Sequence, residues 1–437
     1  MTKETAFRQF QQLVYQSIKR RKDTGLECIN ALSSATLVES PVAVSESPLF
    51  SRRFSSVYDW LKAGEFSDAQ LSETLYKTQP SDAMQIDGYE VYAVDCTEDE
   101  HPDGKTFADR HQCRKGRGAP LTIGHRYSWL VRLLSPRTSW CYPQQVTRVQ
   151  TSQTDSEVAA DQIAGLDKQS SNWKVVVADS LYSNVTLLNL LLVVKTVILL
   201  VRLRTNRVLY EEPPARQPNQ LGRPRKHGEK FKVSDPQRVA DRSETATVWG
   251  QTVRLQMWHH LHFRQVAALI GSVVWVEFLK ADGSPRFKRP LILFWSGPQD
   301  TPLTSICLMY LWRFAIEHMF RFLKQHVGLN THQLPHHHIQ MMWMTSCALA
   351  MCQLALLRSL VADKRRPWRP AVRNGQSLPM TPRQVQRAAL VFLLDFDSPV
   401  QSPKPSGKGA GRPLGFSPEP RPRFAVVKKG KKAKKRS

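Results

Sequence analysis

The chain has 437 residues, of which 41% are hydrophobic, and this size allows roughly two or three domains around a substantial core. Lysine and arginine number 62 against 37 acidic residues, and the net charge of +25 favours a polyanionic partner such as DNA or RNA. The 7 cysteines form no Cys-x-x-Cys pair, which argues against a disulfide framework or a structural zinc site. The N-terminus is polar and has no signal-peptide core, so we expect a cytosolic protein with reduced thiols.

Residues 1–88 are predicted to be helical. Glu4–Leu32 has helical periodicity, Ser34–Ser51 has the composition of a loop, and Ser55 is placed to cap a helix that runs through Lys62. Such a basic helical region is compatible with a DNA-binding module. A helical support domain explains the pattern equally well, because no recognition-helix signature is present.

Residues 89–204 alternate between strand and helix patterns, as is typical of an α/β domain. Tyr89–Val94 has the pattern of a buried strand that ends at Asp95, and Trp173–Ala178 has the pattern of a second one that ends at Asp179. The elements predicted between them are a strand in Tyr127–Leu134 and a helix within Val146–Leu166.

The apolar segment Val185–Val201 has the hydropathy of a membrane span, but it is short for one and contains Asn189 and Lys195. Its second half is rich in β-branched residues. We therefore predict a helix over residues 184–194 and a buried strand over residues 197–203, with no membrane association.

Residues 205–302 are predicted to form a β-rich insertion. Val273–Leu279 and Leu291–Trp295 alternate as strands do, and Asp282-Gly283 between them is a hairpin turn signal. The tryptophans of this region, such as Trp258 and Trp295, are expected in its core, although one of them could stack on a flipped base.

Residues 331–400 are predicted to be helical. Gln340–Leu360 has the composition of a long apolar helix, and Thr381-Pro382 is a cap followed by a first-turn proline that opens another. Beyond Pro403 the chain has 12 Lys or Arg and one Glu without apolar periodicity. Residues 401–437 are therefore predicted to be a disordered basic tail that lies on nucleic acid.

Asp95 and Asp179 each follow a hydrophobic strand directly, and α/β sheets bind ligands at the carboxyl ends of their strands. With a third acid, these carboxylates could bind a pair of divalent cations, Mg²⁺ or Mn²⁺, that activate a nucleophile and stabilise a leaving oxygen in phosphodiester chemistry. Aspartate is common in turns, however, and four acidic neighbours of Asp95 could supply a ligand instead. They are Glu98, Asp99, Glu100 and Asp103.

The third acid is Glu317, on a predicted helix that spans Met309–Lys324. At about 100° per residue, the polar side chains of this helix fall within roughly an 80° arc, and most of the remaining circumference is apolar. The residues in the arc are Tyr310, Arg313, Glu317, Arg321 and Lys324. A buried carboxylate beside three cations is costly unless it has a function, such as holding a metal ion at a phosphate.

Three motifs resemble the DDE transposases of bacterial insertion sequences. The spacing Tyr310-x2-Arg313-x3-Glu317-x6-Lys324 is similar to the Y-R-E-K signature of that family. Residues 177–184 resemble its second-Asp motif, and residues 94–97 resemble its first-Asp strand. Further similarity lies at residues 7–9, 222–228 and 367–368, so the resemblance extends through most of the chain.

The resemblance implies Mg²⁺-dependent hydrolysis at transposon ends, followed by attack of the freed 3′-hydroxyl on target DNA. The implied catalytic and metal-binding residues are Asp95, Asp179 and Glu317, which would hold two Mg²⁺ ions, with Mn²⁺ as the alternative. The implied partners are double-stranded DNA and a second copy of the chain in a synaptic complex. The implied location is the bacterial cytoplasm, at the nucleoid.

The resemblance also implies an RNase H-like catalytic domain within the α/β fold. The predicted organisation is a helical region over residues 1–88, the catalytic domain over 89–204 and 303–330, a β-rich insertion over 205–302, a helical region over 331–400 and the basic tail over 401–437.

Several residues are predicted to contact DNA. In the family that the chain resembles, the residues matching Tyr310, Arg313 and Lys324 hold phosphates near the cut. The other predicted contacts are Arg321, Arg202, Arg204, Arg207, Arg223, Arg225 and Lys226. For the residues after the strand at 197–203 the alternative is a solvated strand edge, and for the loop at 222–226 it is a plain basic loop rather than a minor-groove insert.

His332 and the run His336-His337-His338 do not predict a zinc site. Adjacent histidines in a loop cannot all face one ion, and no cysteine or carboxylate has ligand spacing to them.

The leading interpretation is an active transposase. The alternatives are a catalytically inactive or domesticated DNA-binding protein of the same fold, and a structural nucleoid or ribosomal protein that only the charge favours. Metal-dependent cleavage of a DNA end separates the first from the other two.

Overall fold

The computed structural model describes residues 2–114, 120–215, 222–365, 368, 372–373, 376–405, 411 and 413–428. Pro367, part of one sequence similarity, and residues 429–437 of the basic tail lie outside the described residues. The helices are α1 (Lys3–Ser17), α2 (Lys22–Ser34), α3 (Ser55–Ala63), α4 (Asp68–Lys77), α5 (Asp155–Asp167), α6 (Val185–Leu190), α7 (Leu303–Trp312), α8 (Phe314–Phe322), α9 (His337–Leu357) and α10 (Pro382–Asp395), with a 3₁₀ segment at Pro41–Glu46 and a π-helical turn at Leu323–Val327.

The strands are β1 (Ile18–Arg20), β2 (Glu65–Phe66), β3 (Gln85–Ile86), β4 (Tyr89–Glu100), β5 (His111–Arg114), β6 (Leu121–Leu133), β7 (Cys141–Val149), β8 (Lys174–Ala178), β9 (Val197–Arg202), β10 (Val208–Glu211), β11 (Lys230–Lys232), β12 (Arg242–Val248), β13 (Gln251–Phe263), β14 (Val266–Phe278), β15 (Leu291–Trp295), β16 (Val372–Arg373) and β17 (Gln376–Ser377).

One large sheet organises the fold, and thirteen of the strands described above belong to it. Its path runs β11-β10-β13-β14-β15-β9-β8-β4-β6-β5, with β12 paired to β13, β3 to β4 and β7 to β6. β4, β8 and β9 are parallel, whereas β6 and β15 flank them in the antiparallel sense. The chain is thus a mixed α/β protein, as the alternation of strand and helix patterns predicted.

Helices cover both faces of the central strands. Successive side chains of a strand point to opposite faces, so each face contributes its own residues to a core. On one face, Val91 and Ala93 belong to a core that includes residues of α7, α8 and α9 and of the N-terminal helices. On the other face, Tyr92 and Val94 pack with residues of α5 and α6. The central strands are therefore rigid on both sides, which fixes the position of any side chain at their ends.

The predicted β-rich region forms β10 to β15, and these strands extend the central sheet from β9. β14 and β15 pair as the predicted hairpin, and Gly283 in its turn has a φ of +77°, which glycine adopts without strain. Trp258 and Trp295 are buried, and Trp275, the third tryptophan expected in this core, is half-buried and packs against it.

The N-terminal and C-terminal helices pack into one core. Gln11 of α1, Asn30 of α2 and Gln353 of α9 are buried and hydrogen-bonded to one another.

The predicted single helix over residues 4–32 is interrupted by β1, and Arg21, which follows β1, has a φ of +59°. The predicted cap at Ser55 is wrong, because residue 54 precedes α3 and makes no capping hydrogen bond.

The segment at residues 185–201 is α6 followed by β9, as the change to β-branched residues predicted. Within the described part of the chain, α9 is the helix long and apolar enough to cross a membrane. Of its most apolar window, 89% is buried inside the protein. α10 begins as predicted, with Thr381 and Gln384 forming a reciprocal capping box.

The predicted disorder of the tail does not hold for residues 424–427. Phe424 N–H donates to the Lys105 carbonyl at 2.8 Å, and Val427 N–H donates to the Arg110 carbonyl at 2.7 Å. Val427 also forms a parallel bridge with His111 at the start of β5. The sequence did not reveal this contact, because it pairs backbone groups across a long interval and needs no apolar periodicity.

Candidate active site

The register of β4 and β8 places Asp95 beside Asp179. The two strands are parallel, and their last paired row joins Ala93 to Val177. Each aspartate follows its member of that row by two residues, so both side chains leave the same face of the sheet at the same level. Adjacent strands lie about 4.8 Å apart, and the two carboxylates interact electrostatically. The predicted juxtaposition of these two acids is present in the structure.

The predicted end of the first strand at Asp95 is wrong. β4 continues to Glu100, and its pairing with β6 is unbroken over that length. Only the edge toward β8 opens near Asp95, because β8 ends at Ala178. Asp95 therefore lies at the open edge of a continuous strand, and β6 holds its backbone from the other side.

The predicted single helix over residues 309–324 is divided at Arg313. The N–H groups of Arg313 and Ile316 donate to carbonyls three residues earlier, so a tight 3₁₀-type turn joins α7 to α8. A π-helical turn then follows α8 and contains Lys324. The polar residues thus come from a helix with two irregular turns, which ideal helical spacing could not predict.

Arg313 is the buried charge of this site, and the expectation of a buried Glu317 is wrong. Arg313 is 8% exposed, whereas the Glu317 side chain is 45% exposed. Arg313 Nη1 donates to Asp95 Oδ2 at 3.2 Å and Nη2 donates to Glu317 Oε1 at 2.7 Å. The guanidinium lies against the strand and leaves the glutamate on the solvent side. One cation thereby joins the strand-borne acid to the helix-borne acid.

The three carboxylates share one electrostatic environment. The pKa of Asp95 is raised to about 7, mainly by burial. Arg313 and the Cys96 N–H lower this pKa, whereas the nearby charges of Asp179 and Glu317 raise it. The pKa of Arg313 is raised despite its burial, because Tyr310 and the three carboxylates favour its charged form. An additional cation would stabilise ionised Asp95, because it would offset both burial and like charges.

The residues after Asp179 fix the conformation of its loop. Asp179 Oδ1 accepts a hydrogen bond from Leu181 N–H at 2.7 Å. The buried Tyr182 donates its hydroxyl hydrogen to Cys96 Sγ at 3.5 Å, directly beside Asp95. Asn184 caps α6 by accepting from N–H groups of its first turn. The segment that resembles the second-Asp motif therefore holds its acid against β4.

The predicted phosphate contacts on the helix differ in exposure. Tyr310 is 4% exposed and lies within electrostatic range of Arg313 and Arg202. Arg321 is exposed. Lys324 Nζ donates to the Glu98 carbonyl on β4 at 2.9 Å. Arg202 and Arg321 therefore present accessible cations, while Arg313 and Lys324 also contact the strand that carries Asp95.

The other predicted DNA contacts lie after β9 and in the basic loop. Arg204 is exposed, and Arg207 is half-buried and donates Nη2 to the Ser183 carbonyl at 2.8 Å. Arg207 thus supports the loop after Asp179, a role that the sequence did not suggest. The basic loop before β11 exposes Arg223, Arg225 and Lys226.

Asp99, one of the alternative ligands, lies in a different cluster. It is 1% exposed, and its Oδ2 lies 2.9 Å from His101 Nε2 and 3.1 Å from His332 Nε2. Burial raises the pKa of Asp99, but the contacts with His101 and His332 outweigh burial and hold that pKa below its usual range. Sequence reasoning missed this cluster, because His332 is remote from Asp99 in the chain.

The chain is similar to one known protein family and, weakly, to a solved structure. No curated protein matches the chain. Among solved structures, the piggyBac transposase in a synaptic complex with hairpin DNA is similar at 11% identity over 85% of this chain and 71% of that chain, with a TM-score of 0.39, too low to support a functional argument. A family model described as "DDE superfamily endonuclease" matches residues 13–265, which include Asp95 and Asp179 and end before Glu317. Because that match covers more than half of the sequence, the chain belongs to the DDE superfamily endonucleases.

Proposed function

We propose that this protein is a transposase that cuts and joins DNA at the ends of an insertion sequence. The observation that carries the proposal is the meeting of three carboxylates from separate elements. Asp95 and Asp179 occupy equivalent positions on adjacent parallel strands, and Arg313 joins Asp95 to Glu317. Family membership supports DNA cutting as the general activity.

The donor set fits Mg²⁺ or Mn²⁺. Carboxylate oxygens are the ligands that these ions prefer, and Asp95, Asp179 and Glu317 would supply them. The pKa of Asp95 is raised mainly by burial and further by the charges of Asp179 and Glu317, and a bound cation would oppose both effects. When bound, two such ions activate the attacking oxygen and stabilise the leaving oxygen of a phosphodiester.

The side chains of the chain itself position the acids and the DNA. Arg313 holds Asp95 and Glu317 in one geometry, and Tyr182 packs beside Cys96 next to Asp95. Arg202 and Arg321 are exposed and would contact the DNA backbone. Arg204 and the basic loop with Arg223 would extend that contact.

The proposed architecture has an RNase H-like catalytic domain formed by residues 89–204 and 303–330. Residues 205–302 would be an insertion between its second aspartate and its glutamate. The observed β10 to β15, which extend the sheet between those parts of the chain, support this division. Two copies would hold the two DNA ends together in the cytoplasm of a bacterium.

The test uses the full chain and the DNA that flanks its own coding region, where inverted repeats would mark the ends. With Mg²⁺, we expect strand cleavage at the edge of a repeat, and excess EDTA should abolish it. A duplex of the same length with a scrambled repeat is the control. Binding of the repeat without cleavage in Mg²⁺ or Mn²⁺ would favour an inactive DNA-binding protein, and binding without sequence preference would favour a structural protein.

A further inference from the structure

A buried cluster of potential metal ligands lies on β4 beyond the catalytic acids. Asp99, His101 and His332 are 1%, 3% and 0% exposed. One ligand atom from each lies within 4.8 Å of those of the other two. These residues come from the end of β4, the loop that follows it and the segment before α9, so an ion bound here would join three separate parts of the chain.

The separations fit a tetrahedral zinc ion. Ligand atoms about 2.0–2.1 Å from zinc lie roughly 3.3 Å from one another, and Asp99 Oδ2 is 2.9 Å and 3.1 Å from the two histidine Nε2 atoms. His332 Nε2 makes no well-directed hydrogen bond within the described chain despite that distance, and Asp99 Oδ1 has no hydrogen-bond partner there either. Buried polar atoms without a hydrogen-bond partner destabilise the folded protein, and a bound cation would give both residues a partner.

His125 lies beside the cluster, outside the group of ligand atoms that are within 4.8 Å of one another, and a shift of its ring toward the ion would make it a fourth ligand. It stands directly opposite Asp99 in the pairing of β4 with β6, and its ring centroid is 6.2 Å from that of His101. Its Nε2 lies 2.9 Å from the Ala108 carbonyl and donates to it, which leaves Nδ1 as the unprotonated nitrogen. That Nδ1 is buried and has no hydrogen-bond partner among the described residues. Histidines that bind metals commonly donate their other ring N–H to a carbonyl in this way.

The types of donor atom and the burial of the residues favour zinc over other metals. Imidazole nitrogens with one carboxylate suit zinc, whereas Mg²⁺ prefers oxygen ligands throughout. Redox iron sites with two histidines and one carboxylate keep open positions, but each of these residues is almost fully buried. Zinc would replace two hydrogen bonds, the one between His101 Nε2 and Asp99 Oδ2 and the long 3.4 Å one from Leu334 N–H to His332 Nδ1, since zinc at Nε2 leaves the ring proton on Nδ1.

We infer that Asp99, His101 and His332 bind a structural Zn²⁺ ion, with His125 completing the coordination. The ion holds the end of β4 to the segment before α9. It is separate from the catalytic carboxylates, because Asp95 contacts Arg313 and Asp99 contacts the histidines. The inference does not depend on the proposed transposase function.

The experiment measures the zinc content of the full chain, purified without a histidine tag and dialysed against metal-free buffer. The wild-type protein should retain about one zinc ion per chain, and Asp99→Asn and His332→Gln should lose it. His336→Gln changes an exposed histidine of the same segment and should keep the ion. Glu317→Gln should also keep it, which excludes zinc at the catalytic acids. Co²⁺ substituted for zinc should give the visible absorption of a tetrahedral site in the wild type and not in His332→Gln.

A thermal melt of the wild type keeps the inference testable if the cluster variants fail to fold. A strong chelator should lower the melting temperature, and added Zn²⁺ should restore it. A wild-type protein that binds no zinc even after refolding with Zn²⁺ would overturn the inference, as would iron in its place. Equal zinc content in the wild type and a folded His332→Gln would do the same. A chelator that strips the zinc without changing the melting temperature would remove the structural role.

Discussion

At the scale of single residues, Arg313 is central to the candidate site, because it contacts both Asp95 and Glu317. The family resemblance implies a phosphate contact for Arg313 and Lys324, whereas two cations on the face of the helix that carries Glu317 could instead neutralise that acid. The structure places Arg313 between Asp95 and Glu317 with 8% of its surface exposed. This geometry favours neutralisation of the two acids as the role of Arg313 in the metal-free protein, and the phosphate contact stays a prediction.

We predict that Arg313→Gln lowers the free energy of unfolding in metal-free buffer by about 1–3 kcal/mol, because the half-buried Asp95 loses its charged partner. Mg²⁺ should stabilise this variant more than the wild type, since the ion would supply the missing positive charge. Urea unfolding with and without Mg²⁺ measures both effects.

Arg321→Gln is the matched control, because Arg321 lies on the same helix and is exposed. It should unfold like the wild type in both buffers. If Arg313→Gln were as stable as the wild type without metal yet defective in DNA binding, Arg313 would act on phosphate, as the sequence-based interpretation favoured.

At the scale of elements, patterns that depend on local chemistry were predicted well. The capping box at Thr381, the hairpin turn at Gly283 and the helix-to-strand change after α6 each follow from residues within a few positions of one another. Strand pairing that depends on residues distant in the chain was not predicted. β4 runs past Asp95 because β6 pairs with it, although its acidic second half has no apolar alternation.

The candidate site shows the same division. Strand-end positions and helical spacing predicted Asp95, Asp179 and Glu317 as candidate site residues. The prediction that Glu317 is buried was wrong, because Arg313 is the buried residue. Ideal helical geometry does not contain the tight turn at Arg313 or the π-helical turn at Lys324. The pairing of Asp99 with His332 joins residues that only the tertiary fold brings together.

The loop after Asp179 provides a test at this scale. Asn184→Ala removes the cap of α6 and should cost about 0.5–2 kcal/mol of stability. We also expect slower DNA cleavage at temperatures where the variant is folded, because the cap ends the segment that positions Asp179. Unfolding curves and single-turnover cleavage measure the two effects.

Thr381→Ala removes an equivalent cap from α10, which packs against α2 and α9 rather than the catalytic strands. It should lose similar stability and keep the cleavage rate of the folded protein. Equal slowing in both variants would show that general destabilisation, and not the position of Asp179, limits the reaction.

At the scale of the whole molecule, the charge of +25 and the tail are the main features. Residues 424–427 bind to the loop after β4 and to the start of β5, so this part of the tail lies against the strand that carries the candidate acid Asp95 and the strands next to it. The lysine-rich residues that follow would add positive charge to DNA bound at that part of the sheet.

We predict that deleting residues 429–437 flattens the salt dependence of DNA binding without changing which end sequence is preferred. These residues include six lysines or arginines, and the slope of log affinity against log salt should fall by up to about 5 through reduced counterion release. A Gly-Ser segment of equal length is the control for chain length. An unchanged slope would exclude the end of the tail from the DNA interface.

The central claim is that Asp95, Asp179 and Glu317 form one catalytic unit, and Mg²⁺-dependent cleavage of end DNA by carboxamide variants tests it most directly. Asp95→Asn, Asp179→Asn and Glu317→Gln should each reduce cleavage to the level seen in EDTA while retaining binding to end DNA. Asp103→Asn, which changes an exposed acid in the loop after β4, should cleave like the wild type. Near-normal cleavage by Asp95→Asn, together with loss of cleavage in a folded Asp99→Asn, would contradict the account.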